Sequence, residues 1–296
     1  MSFDYISLLR RLIAHPSISS APIFDLANEL AALSEEVGGR VHRFQTSEVK
    51  QNIIAHVGPV TDGDIALSGH MDVVPVAGQN WDSDPFCAVI RDGRLYGRGS
   101  CDMKGFIAIA LSVLSKMNLS NLQRGITLVW THDEEVGCLG AQALVQQVGE
   151  SGLPIPKAML VGEPTSSNIC HHHGGHSTIE IAIQGRAAHS SKPFLGICAN
   201  SWMAKCLTQI LQWKQWLTEQ PCTFSGVPPL VNIGQIEGGE AINIIPNRAF
   251  IRLGLRPMPS HDCNKILDNL YQRLAPLQEE MATIGGEIRV SIPQHA

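Results

Sequence analysis

The sequence predicts an α/β domain followed by a smaller ferredoxin-like α+β domain. Up to about residue 175, short apolar runs alternate with helical patterns, which is typical of a sheet flanked by helices. From residue 176 the order changes to strand, helix, strand, strand, helix, strand, the split β-α-β arrangement. The 296 residues also exceed the length of a typical single domain. We therefore expect two domains, at residues 1–175 and 176–293.

In the first domain the apolar runs and helical patterns define five elements. Strands are expected at residues 65–68, 126–130 and 158–161, and helices from about 103 to 117 and from 139 to 148. The strand at 126–130 is apolar or β-branched at every position, as expected when both of its faces are covered. It should lie at the centre of the sheet.

In the second domain a period of two marks the strands. Ile179, Ile181 and Ile183 alternate with polar or small residues. The same reasoning predicts the remaining elements, which are strands at 230–236, 249–255 and 287–292 and helices near 200–220 and 264–277.

Composition limits the function classes. The formal net charge of -5 and the absence of a Lys/Arg block give no reason to expect nucleic acid or an anionic membrane as partner, so the substrate should be small. Residues 1–19 read as an amphipathic helix, not a secretory signal, and the longest apolar run, 106–114, is too short to span a bilayer. We expect a cytoplasmic protein whose eight cysteines, scattered without a CxxC pair, stay reduced.

Histidine and acidic residues collect just after the predicted strands. They are His70, Asp72, Asp102, Glu134, Glu135 and Glu163. In an α/β sheet, ligands bind in the crevice at the carboxyl ends of the strands. One imidazole with several carboxylates suits Zn²⁺ or Co²⁺. Three ligating carboxylates and one hydroxide would balance the charge of two divalent cations, so a two-metal site is chemically consistent.

Each of these residues also has a simpler interpretation. Asp102 precedes a helix and could be its N-cap, Glu134 and Glu135 could be a solvated strand end, and Glu163 before Pro164 could be a turn residue.

On extended backbone, His70 and Asp72 point to the same side, which would let the carboxylate accept the second N–H of the imidazole. One of the two adjacent glutamates can bind metal while the other acts as a base, and spacing alone does not say which.

The segments SGHMDVVP, GRGSCDMKG, THDEE, VGEPT and GRAAHSS, in this order, resemble the family of acetylornithine deacetylases, succinyl-diaminopimelate desuccinylases, aminoacylases and related metallopeptidases. The resemblance implies a zinc-hydrolase catalytic domain with a mixed sheet, plus an inserted ferredoxin-like lid domain. It also implies roles: His70 and Glu163 as ligands of one metal, Asp102 as the bridging carboxylate, Glu135 as ligand of the other metal, Glu134 as general base and Asp72 as the orienting residue.

In the lid, the resemblance makes His189 the residue that stabilises the developing oxyanion, often from the neighbouring subunit of a homodimer. Asn243 would contact the substrate, and Arg256 would bind its α-carboxylate, although an exposed charge at a strand end is the simpler interpretation of this arginine. Within the family, the segments VGEPTS, IGQIEGGEAINIIP and RPMP are most similar to those of acetylornithine deacetylases, and this resemblance implies N-acetylornithine as the substrate, in arginine biosynthesis. Succinyl-diaminopimelate, acetylcitrulline and dipeptides remain alternatives.

Two features depart from the family pattern. Where the family carries a His-Lys-Gly triplet, this chain has His173, Gly174 and Gly175, and the run 171–173 could bind metal adventitiously or be surface histidines. The chain also finishes at SIPQHA, before the segment expected to supply a last histidine ligand, and His295 is not given that role. A second metal would then keep only Asp102 and Glu135.

Three rival functions follow. The first is a non-catalytic fragment that binds at most one metal or a partner chain. The second is a zinc deaminase, suggested by the H-x-E pair of His132 and Glu134, but no PCxxC segment follows. The third is a function that uses a nucleotide cofactor. It is disfavoured because Gly97 and Gly99 form only half of a dinucleotide fingerprint and no P-loop occurs.

Overall fold

The computed structural model describes residues 2–19, 21–61, 63–151, 153–223 and 225–293. The chain forms two compact units that divide between Asn168 and Ile169. The first unit contains the helices α1 (Tyr5–Ile13), α2 (Phe24–Glu36), α3 (Lys104–Lys116) and α4 (Leu139–Ser151) and the strands β1 (Gly39–Ser47), β2 (Lys50–Val57), β3 (Ile65–His70), β4 (Val89–Arg91), β5 (Arg94–Tyr96), β6 (Ile126–Thr131) and β7 (Ala158–Val161).

The main sheet of this unit is mixed and has the order β1-β2-β6-β3-β7. Strand β3 runs parallel to β6 and β7, whereas β2 is antiparallel to β1 and to β6. Strand β6 lies in the middle, and every residue in it after Ile126 is buried. The predicted central strand and the predicted α/β fold with a mixed sheet are therefore confirmed.

Helices cover both faces of the sheet. On one face α1, α2 and α3 pack with Ile53, Leu128 and Trp130 into the larger apolar core. The opposite face carries a smaller cluster of Ile54, Ala66, Val129 and Leu144, the last of which lies on α4. Because side chains alternate along a strand, neighbouring residues such as Ile53 and Ile54 fill different cores.

The second unit contains β8 (Ser177–Gln184), β9 (Ala188–His189), α5 (Ala199–Leu217), β10 (Leu230–Gly238), β11 (Ile244–Ile245), β12 (Arg248–Arg256), α6 (Cys263–Thr283) and β13 (Glu287–Ser291). Its four-stranded sheet has the order β10-β12-β8-β13, and all of its pairs are antiparallel. Ile179, Ile181 and Ile183 point into a core shared with α5 and α6. The long strands and helices follow in the predicted split β-α-β order.

Several elements were not predicted from the sequence: α2, the β1–β2 hairpin and the short pair β4–β5. Helix α6 also continues to Thr283, past Pro276 and beyond the predicted end at residue 277. Among the described residues, no helix combines the length and the apolar character that a membrane crossing requires.

Candidate metal centre

The candidate site lies at the carboxyl edge of three neighbouring parallel strands. Strand β3 ends at His70, β6 ends shortly before Glu134 and Glu135, and β7 ends shortly before Glu163. Asp102 lies on the loop that leads into α3. Since parallel strands end at the same edge of a sheet, this topology brings residues from four distant segments together.

His70 is the centre of the cluster. Its imidazole is almost fully buried, and its Nε2 lies 2.9 Å from Asp102 Oδ1. The same nitrogen lies 3.9 Å from Glu134 Oε2 and 3.8 Å from Glu163 Oε1. The side chains of Asp102, Glu134 and Glu163 are 48%, 38% and 39% exposed, so the cluster opens to solvent on the carboxylate side.

The cluster divides into two groups that share His70. One consists of His70, Glu134 and Glu163 and the other of His70, Asp102 and Glu135, and in each group the potential ligand atoms lie within 4.8 Å of one another. The adjacent glutamates thus enter different groups. All six residues singled out after the strands, Asp72 included, meet in this one place.

Asp72 contacts both His70 and the glutamate loop. The nearest acceptor for His70 Nδ1 is the main-chain oxygen of Asp72 at 2.9 Å, whereas Asp72 Oδ1 is 3.6 Å away. The carboxylate accepts hydrogen bonds from the main-chain N–H groups of Glu134 and Glu135, at 3.0 and 3.3 Å, and from Ser19 Oγ at 2.8 Å. The expected carboxylate–imidazole hydrogen bond is therefore replaced by one to the main chain, because other donors take up the carboxylate.

The electrostatics of the cluster favour a cation. Burial would lower the pKa of His70, but the hydrogen bond to Asp102 and the negative charges of the nearby Asp72 and Asp102 carboxylates raise it to about 11. Burial, together with the charge of Asp102, raises the pKa of Glu135. Five carboxylates surround a single imidazole, so negative charge exceeds positive charge, and the oxygen and nitrogen donors fit divalent ions such as Zn²⁺.

One of the simpler interpretations and one of the rival functions do not agree with the geometry. Helix α3 begins at Lys104 with Met103 as its N-cap and without a side-chain cap, so Asp102 does not cap it. His132 is buried, with Nε2 at 2.7 Å from Thr46 Oγ1 and Nδ1 at 3.1 Å from Asp133 Oδ2. It belongs to neither ligand group found among the described residues, which leaves the deaminase interpretation without its histidine.

In the second unit the structure brings His189 and Asn243 together. His189 pairs with Ile244 across β9 and β11, and the N–H of Ser190 donates to Asn243 O at 2.9 Å. Both predicted residues are exposed. Arg256 is also exposed but lies at the far end of β12, eight residues from Arg248, a separation of about 26 Å in an extended strand.

The segment that departs from the family triplet lies beside Arg256. Gly175 donates to Pro257 O at 2.7 Å, and His173 Nδ1 lies 3.0 Å from Gly174 O. No ligand group forms around the histidine run in the part of the chain that the structure describes. His295 lies outside the described residues.

Sequence reasoning missed four residues that support the site. Ser19, Lys50 and Asp133 are joined to Asp72 or to the glutamate loop by hydrogen bonds. Lys104 is fully buried and donates to Leu12 O and His15 O at 2.9 and 2.7 Å, and burial lowers its pKa to about 7. Lys104 and Asp133 carried a signal, since they lie in the segments GRGSCDMKG and THDEE, whereas Ser19 and Lys50 lie in no such segment.

A histidine shared by two pairs of carboxylates, at the carboxyl edge of a mixed α/β sheet, is typical of a metal-dependent hydrolase. Residues 66–275 match the model of Peptidase family M20/M25/M40. The chain belongs to this family.

Two curated relatives cover almost the whole chain. Acetylornithine deacetylase from Shigella sonnei (strain Ss046) is 34% identical over 285 residues, which are 93% of this chain and 73% of that protein. Acetylornithine deacetylase from Pasteurella multocida (strain Pm70) is 32% identical over 295 residues, 96% of this chain and 75% of that protein.

Solved structures show the same fold at lower identity. An M20 family metallo-carboxypeptidase from Sulfolobus solfataricus superposes with a TM-score of 0.74 at 18% identity, over 97% of this chain and 78% of its own. A dinuclear metal binding peptidase of the M20 family from Bacillus subtilis gives a TM-score of 0.66 at 16% identity, over 98% and 73% of the two chains.

Proposed function

We propose that this chain hydrolyses the amide bond of an N-acyl amino acid, with N-acetylornithine as its substrate and acetate and ornithine as products. The observation that carries the proposal is the pair of ligand groups that share His70, with Glu134 in one and Glu135 in the other. The two acetylornithine deacetylases that align with nearly the whole chain support the choice of substrate.

The residues present fit two divalent ions, which we propose to be Zn²⁺ or Co²⁺. His70 and Glu163 would hold one ion, Glu135 would hold the other, and Asp102 would bridge the two. Bound ions of this kind polarise a carbonyl oxygen and lower the pKa of an attacking water. The Bacillus subtilis relative described as a dinuclear metal binding peptidase supports the count of two.

Glu134 is the proposed general base. Its carboxylate is partly exposed at the open side of the cluster, and its main chain is fixed by Asp72. It would take a proton from the attacking water and return it to the leaving amine, as general acid–base catalysis requires. The hydrogen bond from His70 Nδ1 to the main chain of Asp72 leaves Nε2 directed at the carboxylates, so Asp72 orients the ligating histidine.

In the second unit we propose that His189 stabilises the oxyanion, that Asn243 contacts the substrate and that Arg256 binds its α-carboxylate. Arg256 and the end of the sheet next to His189 are separated by the length of β12, about 26 Å. One N-acyl amino acid is too small to contact both residues of the same chain. A homodimer in which His189 of the partner subunit completes the site removes this conflict.

A second candidate function is a non-catalytic chain that binds at most one metal or a partner. The observation in its favour is the edge strand β7, of which all four residues are exposed. Met159, Leu160 and Val161 are each more than half exposed. Apolar residues on an uncovered strand edge are a common feature of interaction surfaces.

Metal content and turnover distinguish the two candidates. Zinc per chain would be measured after dialysis, and acetate release would be measured with N-acetylornithine. N-acetylcitrulline, N-succinyl-diaminopimelate and a dipeptide would serve as competing substrates. Two retained ions with fastest turnover of N-acetylornithine support the enzyme, whereas one weakly held ion without turnover supports the non-catalytic chain. Fractionation of cells tests the predicted cytoplasmic location.

A further inference from the structure

A closed ring of contacts lies behind the glutamate loop of the metal centre. Lys50 Nζ donates to both carboxylate oxygens of Asp133, at 2.5 and 2.6 Å, and to the main-chain oxygen of Ser19. Ser19 Oγ donates to Asp72 Oδ2 at 2.8 Å, and Asp72 Oδ1 accepts from the N–H of Glu134 at 3.0 Å. Because Glu134 follows Asp133 in the chain, these contacts close a loop, which we call the Lys50 ring.

The backbone inside this ring is held in an uncommon conformation. Asp133 has a φ of 53°, in the left-handed region, which aspartate adopts more often than most residues but which is uncommon outside glycine. Such a conformation persists only where surrounding contacts over-determine it. The turn at Asp133 is the point at which the chain leaves β6 and directs Glu134 and Glu135 toward His70.

The Lys50–Asp133 ion pair is largely removed from solvent. The side chain of Lys50 is 16% exposed and that of Asp133 is 8% exposed. Removing one member of such a pair leaves the other charge buried without its partner, which is more costly than replacing both. A long, flexible lysine held by three acceptors is therefore a specific contact at this place and not a solvated surface charge.

Strand β2 contacts the same turn through a second residue, Asn52. Asn52, which is fully buried on β2, accepts from the N–H of His132 at 3.1 Å and donates to Gly140 O at 2.9 Å. Strand β2 therefore contacts the loop at its start, through Lys50 and Asn52, and at its end, through Asn52. The carboxylate of Glu134 itself is 38% exposed, and Cys138 Sγ donates to its Oε1 at 3.6 Å.

We propose that Lys50 and Asp133 are positioning residues, which fix the turn that sets Glu134 and Glu135 in the two ligand groups of the metal centre. This inference rests on the proposed function, in which Glu134 is the general base and Glu135 is a metal ligand. Neither residue touches the reacting atoms. Both act through the main chain of the glutamate loop.

The test compares Lys50→Met with a control variant that damages the same unit elsewhere. Asp64→Asn is matched to it, because Asp64 is a buried carboxylate that accepts hydrogen bonds from Thr61 and Gly125 in a different loop. Thermal unfolding of both variants would show how far each is destabilised. Asp133→Asn, which keeps the shape of the side chain, serves as the second variant if Lys50→Met does not fold.

Two measurements on the folded variants report the position of the glutamate loop and not only the stability of the protein. Hydrogen exchange in the metal-free chain should become faster in the peptide covering residues 132–138 of Lys50→Met, and not in the same peptide of Asp64→Asn. Titration with Co²⁺ alone, followed by its visible absorption spectrum, should show binding about tenfold or more weaker in Lys50→Met and unchanged in Asp64→Asn. In turnover, kcat should fall more than KM rises.

A double variant adds the pairwise test. Lys50→Met combined with Asp133→Asn should lose no more Co²⁺ affinity than the worse single variant, since both act through one contact. The inference is overturned if Lys50→Met shows the exchange and the Co²⁺ affinity of Asp64→Asn at equal loss of stability. A wild-type chain that binds no Co²⁺ would contradict the proposed function instead, and the exchange comparison would still decide whether the ring fixes the turn.

Discussion

Asp72 accepts a hydrogen bond from the main-chain N–H of Glu134 at 3.0 Å, across 62 residues of sequence. Through its own main-chain oxygen it also holds His70. One buried aspartate thus fixes the last residue of β3 and the loop that follows the neighbouring β6, and the geometry of the proposed metal centre depends on this link.

Asp72→Asn should weaken Zn²⁺ or Co²⁺ binding by about 10- to 100-fold. The amide NH₂ of the variant would have to face a donor, because both carboxylate oxygens of Asp72 accept hydrogen bonds. Metal titration of the purified variant measures the effect. Asp82→Asn, at a position whose side chain is 85% exposed, is the control, and equal affinities in the two variants would count against the link.

His189→Ala and Glu134→Gln should each be inactive alone and should regain activity when mixed after dissociation and reassociation. In a mixed dimer the His189→Ala chain keeps its Glu134 and receives the intact His189 of the partner subunit. Random assortment predicts about a quarter of wild-type activity, because half of the dimers are mixed and each has one complete site. Persistent inactivity of the mixture, with mixed dimers demonstrated, would show that His189 does not act across subunits.

Arg256→Lys should raise KM for N-acetylornithine by about tenfold or more while kcat changes less. Lysine keeps the charge but not the fork of donors that binds a carboxylate with two hydrogen bonds. Steady-state kinetics measure the change. Arg289→Lys, at a side chain on β13 that is 69% exposed, is the matched control, and an unchanged KM in Arg256→Lys would remove Arg256 from the site.

Asp64→Asn should lower the free energy of unfolding at pH 7 by about 2 kcal/mol. Burial would raise the pKa of Asp64, but hydrogen bonds from Thr61 and Gly125 and the nearby His56 lower it below its usual value. The contribution is complete above the unfolded pKa of about 4 and is lost as the pH falls through the lower folded pKa. Urea unfolding at several pH values should show the difference from wild type shrinking in acid. A difference that does not depend on pH would contradict this assignment.

The parts of the fold that sequence predicted are those with a simple pattern. Residues 126–130 are uniformly apolar, and this strand is central because only a strand covered on both faces carries such a run. The ligand cluster was predictable because residues that follow parallel strands meet at one edge.

Strand β2 was missed because it carries polar residues that are buried in the structure. Strand β2 contains Asn52 and His56, which read as solvent-facing residues, yet both are buried. Their partners, Gly140 O for Asn52 and Thr127 for His56, come from 71 or more residues away. Ser19 and Lys50 likewise contact residues that are distant in the sequence, Asp72 and Asp133. No spacing along the chain predicts these contacts.

The central claim is that His70, Asp102, Glu135 and Glu163 bind two metal ions and that Glu134 acts as the base. Zinc per chain and acetate release from N-acetylornithine, measured on the same samples of wild type, Glu134→Gln and Glu163→Gln, test it most directly. We expect two ions and turnover in wild type, two ions with turnover reduced by about 100-fold or more in Glu134→Gln, and loss of an ion in Glu163→Gln. Wild-type turnover in Glu134→Gln, or an unchanged metal count in Glu163→Gln, would contradict the account.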